Sequence, residues 1–195
     1  MFKHTALVSS LILSTAIFAG TAQAGLVGVK DIRVTQASGH SSIQVTELQA
    51  FEAKTGRNVA LSSNGTVATA STTYSWDSYA QKAIDGQTAN QTFPNMWHSG
   101  GYSMNDWLNI SFSSAVNLDS VTMFGRSDCC SFRDIYSLAF IGADGRLLYT
   151  ATLDASNGSH VGSISLNADV PEPTSVALLG LGVAGLMASR RKLKK

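Results

Sequence analysis

The sequence predicts an all-β domain, a sandwich or barrel, lying between two short apolar end segments. Three observations predict it. The middle of the chain is rich in Gly, Ser, Thr and Asn, and its apolar stretches are short. Many of those stretches alternate apolar with polar residues, the period of a half-buried strand. No amphipathic helix longer than about three turns shows in a period-3.6 reading.

The strand candidates, in order, are 43–51 (IQVTELQAF), 107–112 (WLNISF), 118–125 (LDSVTMFG), 136–142 (YSLAFIG), 146–153 (RLLYTATL) and 161–166 (VGSISL). In WLNISF, Leu108, Ile110 and Phe112 share one face, and Trp107, Asn109 and Ser111 share the other. Trp107, at a strand start, is expected in the core. Turns such as GADG (142–145) and SNG (156–158) separate the strands. Regularly spaced strands with such turns indicate a sandwich or barrel. One candidate breaks its own pattern. In IQVTELQAF, Glu47 falls on the face of Ile43 and Val45. A buried carboxylate is costly unless it is paired or ligates a cation. A bulge could instead rotate it outward.

The ends are read separately. Residues 1–24 carry Lys3 and His4, an apolar run from Ala6 to Phe18, and a small-x-small Ala22-Gln23-Ala24 close. That is the pattern of a signal peptide. The other end has Pro171-Glu172-Pro173, an apolar run over 174–189 and a tail, 190–195, with five cations. The run is short for a bilayer helix, which takes about 20 residues. The basic tail belongs in the cytoplasm by the positive-inside rule. This segment, 168–195, closely resembles the PEP-CTERM sorting signal of Gram-negative bacteria. The resemblance implies a short transmembrane helix and recognition by an exosortase at the Pro171–Pro173 box. The protein would be held in the inner membrane with its domain in the periplasm before processing. It would then reach the cell surface or a secreted matrix.

The body is one domain, 25–167. Between Gly25 and Val170 it has eight cations and twelve acids, a net charge of about −4. That argues against nucleic acid, whose binders present a basic patch. About 145 residues suffice for one core. An exported address is oxidising, so a cysteine pair is a disulfide by default.

Residues 58–93 run N-x-A, then a Ser/Thr-rich segment, then A-x-K-A-I-D-G; WLNISF and VTMFGR follow. This rhythm resembles the galactose-binding-like jelly roll of discoidin domains. Within that group Arg126-Ser127-Asp128, then Cys129 to Phe132, then Arg133 is similar to the F-type lectin (fucolectin) motif, Arg-x-Asp, four residues, then a cation. The motif also wants an upstream histidine. His98 precedes Arg126 by 28 positions, slightly more than usual. VTELQAF (45–51) has the flavour of the family's last strand, which suggests a permuted start. The resemblance implies that Arg126, Arg133 and His98 contact a fucose-like ring. Phe132, inside the motif, is a further contact. It also implies a structural calcium ion on Asp85 and Glu47, with the carbonyls of Thr46, Lys82 and Gln87 completing the set. The other reading of Asp85 is a residue that caps its own loop.

The chemistry of the motif suits a sugar. Arginine is always charged and presents donors in a planar fork that can reach two adjacent hydroxyls. Histidine can donate to or accept from another. Asp128 can orient an arginine, because two close guanidiniums need a counter-charge. Cys129 and Cys130 are the only cysteines. Their Cα atoms lie about 3.8 Å apart, closer than ordinary disulfides prefer. They could be free thiols, an intermolecular bond or a vicinal disulfide. F-type lectins have a vicinal disulfide that packs on the sugar, and the resemblance implies one here. The aromatics Tyr74, Trp76, Tyr79, Trp97 and Tyr102 lie in predicted loops, open to ligand contact or to the core. The function expected is non-catalytic glycan binding. The alternative is a structural matrix protein on the same fold. No Ser-His-Asp arrangement or metal-ligand cluster points to an enzyme.

Overall fold

The computed structural model describes residues 25–101 and 103–166. The expected signal peptide, the sorting box at Pro171, Glu172 and Pro173, the helix over 174–189 and Tyr102 lie outside the described residues. Among the described residues, no helix is long and apolar enough to cross a membrane.

The described chain is all-β. Its strands are β1 (Leu26–Gln36), β2 (Gln44–Val45), β3 (Glu47–Glu52), β4 (Val67–Ala70), β5 (Trp97–His98), β6 (Trp107–Phe124), β7 (Ile135–Gly142), β8 (Leu147–Asp154) and β9 (Val161–Ser165). Single 3-10 turns occupy Ser62–Asn64, Ala80–Ile84 and Ser131–Arg133. Seven strands form one sheet in the order β3-β6-β1-β7-β8, with β4 and β9 also on β6; β2 and β5 pair separately. All the pairings are antiparallel.

The long strand β6 serves two groups of partners. Its first half, around Leu108–Ser111, runs between β1 and β4. Its second half, from Ser120 to Phe124, runs between β3 and β9. The register of β1 on β6 jumps between Val29 and Asp31, opposite Val116 and Ser111. Lys30 fills that irregularity by donating its ammonium hydrogens to the carbonyls of Phe112 and Ser113.

One apolar cluster holds these groups together. Val29, Ile32 and Val34 of β1 join Leu108, Ile110 and Phe112 of β6 and Leu138 and Phe140 of β7. Leu48 and Ala50 of β3 join Val121 and Met123 of β6 in the same cluster, with Ile84 from the 3-10 turn. Each large side chain buried this fully contributes about 1.5–3 kcal/mol. The alternation read in WLNISF places the three apolar residues inward, all buried.

Several sequence expectations change here. VTELQAF does not open the domain, because β1 precedes it and is paired on both edges. The bulge in β1 breaks the period-2 pattern and hides the strand from a pattern reading. The stretches 107–112 and 118–125 belong to one strand, joined through exposed Ser113 and Ser114. IQVTELQAF is split at Thr46, whose hydroxyl donates to the Gly125 carbonyl at 2.9 Å. Glu47 is not rotated outward; it is buried beside Leu48. Trp97 is core, its indole N–H donating to the Thr72 carbonyl at 3.0 Å. Trp107 is only half-buried, under the Arg33 guanidinium at 4.3 Å.

Candidate functional site

The loop between β6 and β7 is held from below by one buried carboxylate. Asp134 is fully buried. Its Oδ2 accepts the Arg126 N–H at 2.8 Å, and its Oδ1 accepts from Gln44 Nε2 at 3.0 Å. Tyr136 lies beside it, with its hydroxyl 3.2 Å from Oδ1 and 2.7 Å from the Gln44 carbonyl. The shorter bond takes the hydroxyl proton to Gln44. Burial pushes Asp134 up to about 6, against the opposing pull of these hydrogen bonds.

The rest of the loop is fixed by distant partners. Ser127 donates its N–H and its hydroxyl to the Gln91 carbonyl, at 2.8 and 3.0 Å. Gln44 Nε2 also donates to the Cys130 carbonyl at 3.2 Å, and Gln36 Nε2 donates to the Arg133 carbonyl at 3.1 Å. Cys129 and Cys130 are joined as a disulfide, with Cα atoms 3.7 Å apart. Cys130 has φ of +62°, in the left-handed region.

His98 comes from the neighbouring ribbon, where β5 pairs Gln44 with His98. Its Nδ1 lies 2.8 Å from the Ser99 carbonyl. A carbonyl only accepts, so Nδ1 carries the hydrogen and Nε2 is the bare acceptor of the neutral ring. Burial lowers the pKa of His98, the Ser99 carbonyl opposes this, and the charges of Arg126 and Arg133 lower it further. The imidazole therefore stays neutral near pH 7.

These groups meet at one cavity of about 350 Å³, within the size range of small-ligand sites. His98, Arg126, Cys129, Cys130 and Arg133 all line it. Asp128 does not; it accepts from Arg126 Nε and Nη2, one edge of the guanidinium, at 2.7 and 3.1 Å. That hydrogen bond holds the Asp128 carboxyl below its usual value. Phe132 also lies off the lining, half-exposed and edge-on to His40 with ring centroids 4.6 Å apart. The Arg133 guanidinium sits 5.5 Å from its ring.

Other lining residues carry weaker sequence signals or none. Tyr74 and Phe93 line the cavity around His98, with ring centroids 5.1 and 6.4 Å from the imidazole. The Arg126 guanidinium lies 5.6 Å from the Phe93 ring. Tyr74 was one of several loop aromatics; Phe93, Ser42 and Gly100 had no signal, because their approach is made by the fold. Trp76 is 89% exposed and Tyr79 is exposed, both off the lining.

The expected metal residues meet elsewhere. Both oxygens of Glu47 lie 3.2 Å from the Gly86 N–H. Burial pushes Glu47 up to about 8, with the neighbouring Asp85 charge adding to it and the Gly86 N–H opposing. Asp85 Oδ1 accepts the Gln87 N–H at 2.9 Å, a cap of its own loop. Among the described residues, no group of three or more His, Cys, Asp or Glu side chains converges as a metal site.

Residues 169–192 match the PEP-CTERM protein-sorting motif. No curated protein and no solved structure matches the chain. The motif marks an exported protein that is anchored in the membrane before processing by an exosortase.

Proposed function

We propose that the protein is a non-catalytic carbohydrate-binding protein, a lectin of the fucose type. Its cavity would hold one sugar ring of an exopolysaccharide or cell-surface glycan. The strands are read in this proposal as a jelly roll of the galactose-binding-like kind. The observation that carries it is the lining: two guanidiniums, one imidazole and the Cys129–Cys130 disulfide around a single cavity.

The roles follow from donor and acceptor chemistry. Arg126 and Arg133 donate to adjacent sugar oxygens. His98 Nε2 accepts a hydrogen from a hydroxyl, which neither arginine can do. The disulfide and the Phe93 and Tyr74 rings offer weakly polar surface to a C–H face. Asp128 and Asp134 are committed to the arginine fork and to the loop, which suits binding better than proton transfer. Charge-assisted hydrogen bonds contribute about 1.5–3 kcal/mol each, and association costs at least about 4. A single site is then millimolar to micromolar, and display in many copies supplies adhesion.

A calcium ion belongs to the same proposal. Glu47 is a buried carboxylate with no cationic partner among the described residues, and Asp85 raises its pKa further. Those two carboxylates with the carbonyls of Thr46, Lys82 and Gln87 would make an all-oxygen set, the kind a hard cation takes. The ion would neutralise Glu47 and tie β3 to the turn after Ile84.

A glycan array with the full-length chain tests the site. Arg126→Ala and Arg133→Ala should each lower binding of the retained glycans about ten- to a hundredfold. Unchanged binding in both variants sinks the site. No glycan binding by the wild type favours a matrix protein without fucose specificity.

A further inference from the structure

We infer that the glycan site has a second ring position, with Trp76 as its stacking platform. The ligand is then a chain of at least two linked sugars and not a lone terminal ring. The inference rests on the glycan reading above.

Trp76 is 89% exposed. An indole is largely apolar and gains from being covered. Among the described residues, no ring or cation packs on it, whereas exposed Phe132 already meets His40 and Arg133.

The exposure is not that of a loose tip. Tyr74 N–H donates to the His98 carbonyl at 2.8 Å, and His98 N–H donates to the Ser78 carbonyl at 3.2 Å. Both legs of the segment 74–78 are therefore bonded to the main chain of the one histidine that lines the cavity. Between the legs, Ser78 N–H donates to the Ser75 carbonyl at 3.0 Å. Ser75 N–H donates to the Ser78 hydroxyl at 3.2 Å and closes the turn. Buried Trp97, the residue before His98, anchors the same stretch through the Thr72 carbonyl.

Position completes the case. Tyr74 is a cavity wall, and Trp76 is two residues on, so their Cα atoms are at most about 7 Å apart. In this inference a ring linked to one held by the arginines extends past Tyr74 toward Trp76. With the main chain around it fixed in advance, only the rotamers of the indole remain to be ordered on binding. Sugar rings present C–H faces that stack on indole as they do on other apolar surfaces.

The test is calorimetry of the full-length chain with L-fucose and with the trisaccharide 2′-fucosyllactose. The wild type should bind the trisaccharide about three- to tenfold more tightly, and Trp76→Ala should abolish the difference while leaving L-fucose unchanged. Trp76→Phe should keep most of it. Tryptophan emission should shift to the blue with the trisaccharide only, because Trp97 is already buried and Trp107 lies off the cavity lining under Arg33. Equal loss for both sugars in Trp76→Ala, or none for either beside a wild type that binds both, overturns the inference alone. A wild type that binds neither sugar overturns the glycan reading and the inference with it.

Discussion

Asp134 is the residue on which the cavity turns, although it contacts no ligand in the proposal. It is fully buried and accepts from the Arg126 N–H and from Gln44 Nε2, with the Tyr136 hydroxyl beside it. Asp134→Asn turns one of its acceptors into a donor and leaves a buried hydrogen bond unmade, costing about 1–3 kcal/mol. The pH dependence is specific. The carboxyl is raised from 3.8 to about 6 in the folded state. The folded protein then holds more protons than the unfolded chain between those values. The contribution of Asp134 is therefore full below about pH 4 and is lost as pH rises through 6. The stability gap between wild type and Asp134→Asn should narrow over that interval, by at most about 3 kcal/mol. Urea denaturation at a series of pH values measures it; a gap that widens from pH 4 to 6 contradicts the assignment.

The loop of residues 125–134 behaves as an element in its own right, held by Asp134, Gln91, Gln44 and Gln36. Gly125 opens it. A Cβ there would lie 2.4 Å from Asp134 Oδ2 and 2.9 Å from the Asp134 Cβ. Gly125→Ala should cost about 1–3 kcal/mol, the price of overpacking, and lower the denaturation midpoint. A midpoint equal to wild type would show that the loop does not rest on Asp134. At this scale the legible and illegible parts of the sequence separate. The arginines and cysteines of the loop were legible because they sit within eight consecutive residues. His98 was legible only through a family spacing. Gln44, Phe93 and Asp134 were not, since their roles arise from contacts spanning tens of residues. β7, β8 and β9 were legible to within a residue or so at each end, because their alternation is regular and turns bound them. β1 was hidden by its bulge, and the unity of β6 by two exposed serines.

For the molecule as a whole, the proposed calcium ion is a link between β3 and the segment of Ala80–Ile84. A ligand that binds only the folded state stabilises by about 2.7 kcal/mol at a hundred times its dissociation constant. Heat denaturation in calcium and in EDTA should then differ by about 5–11 °C. Coincident midpoints remove the ion from the proposal. Glu47→Gln should make the two midpoints coincide.

The path of β9 has a consequence for orientation. Val161 lies opposite Phe124 and Ser165 opposite Ser120, and Gly125 N–H donates to the His160 carbonyl at 2.8 Å. β9 thus starts at the arginine loop and runs away from it for four residue steps, roughly 13 Å. The sorting motif follows at 169–192. A pull exerted through that motif would therefore enter the domain at the end of β9 farther from the cavity.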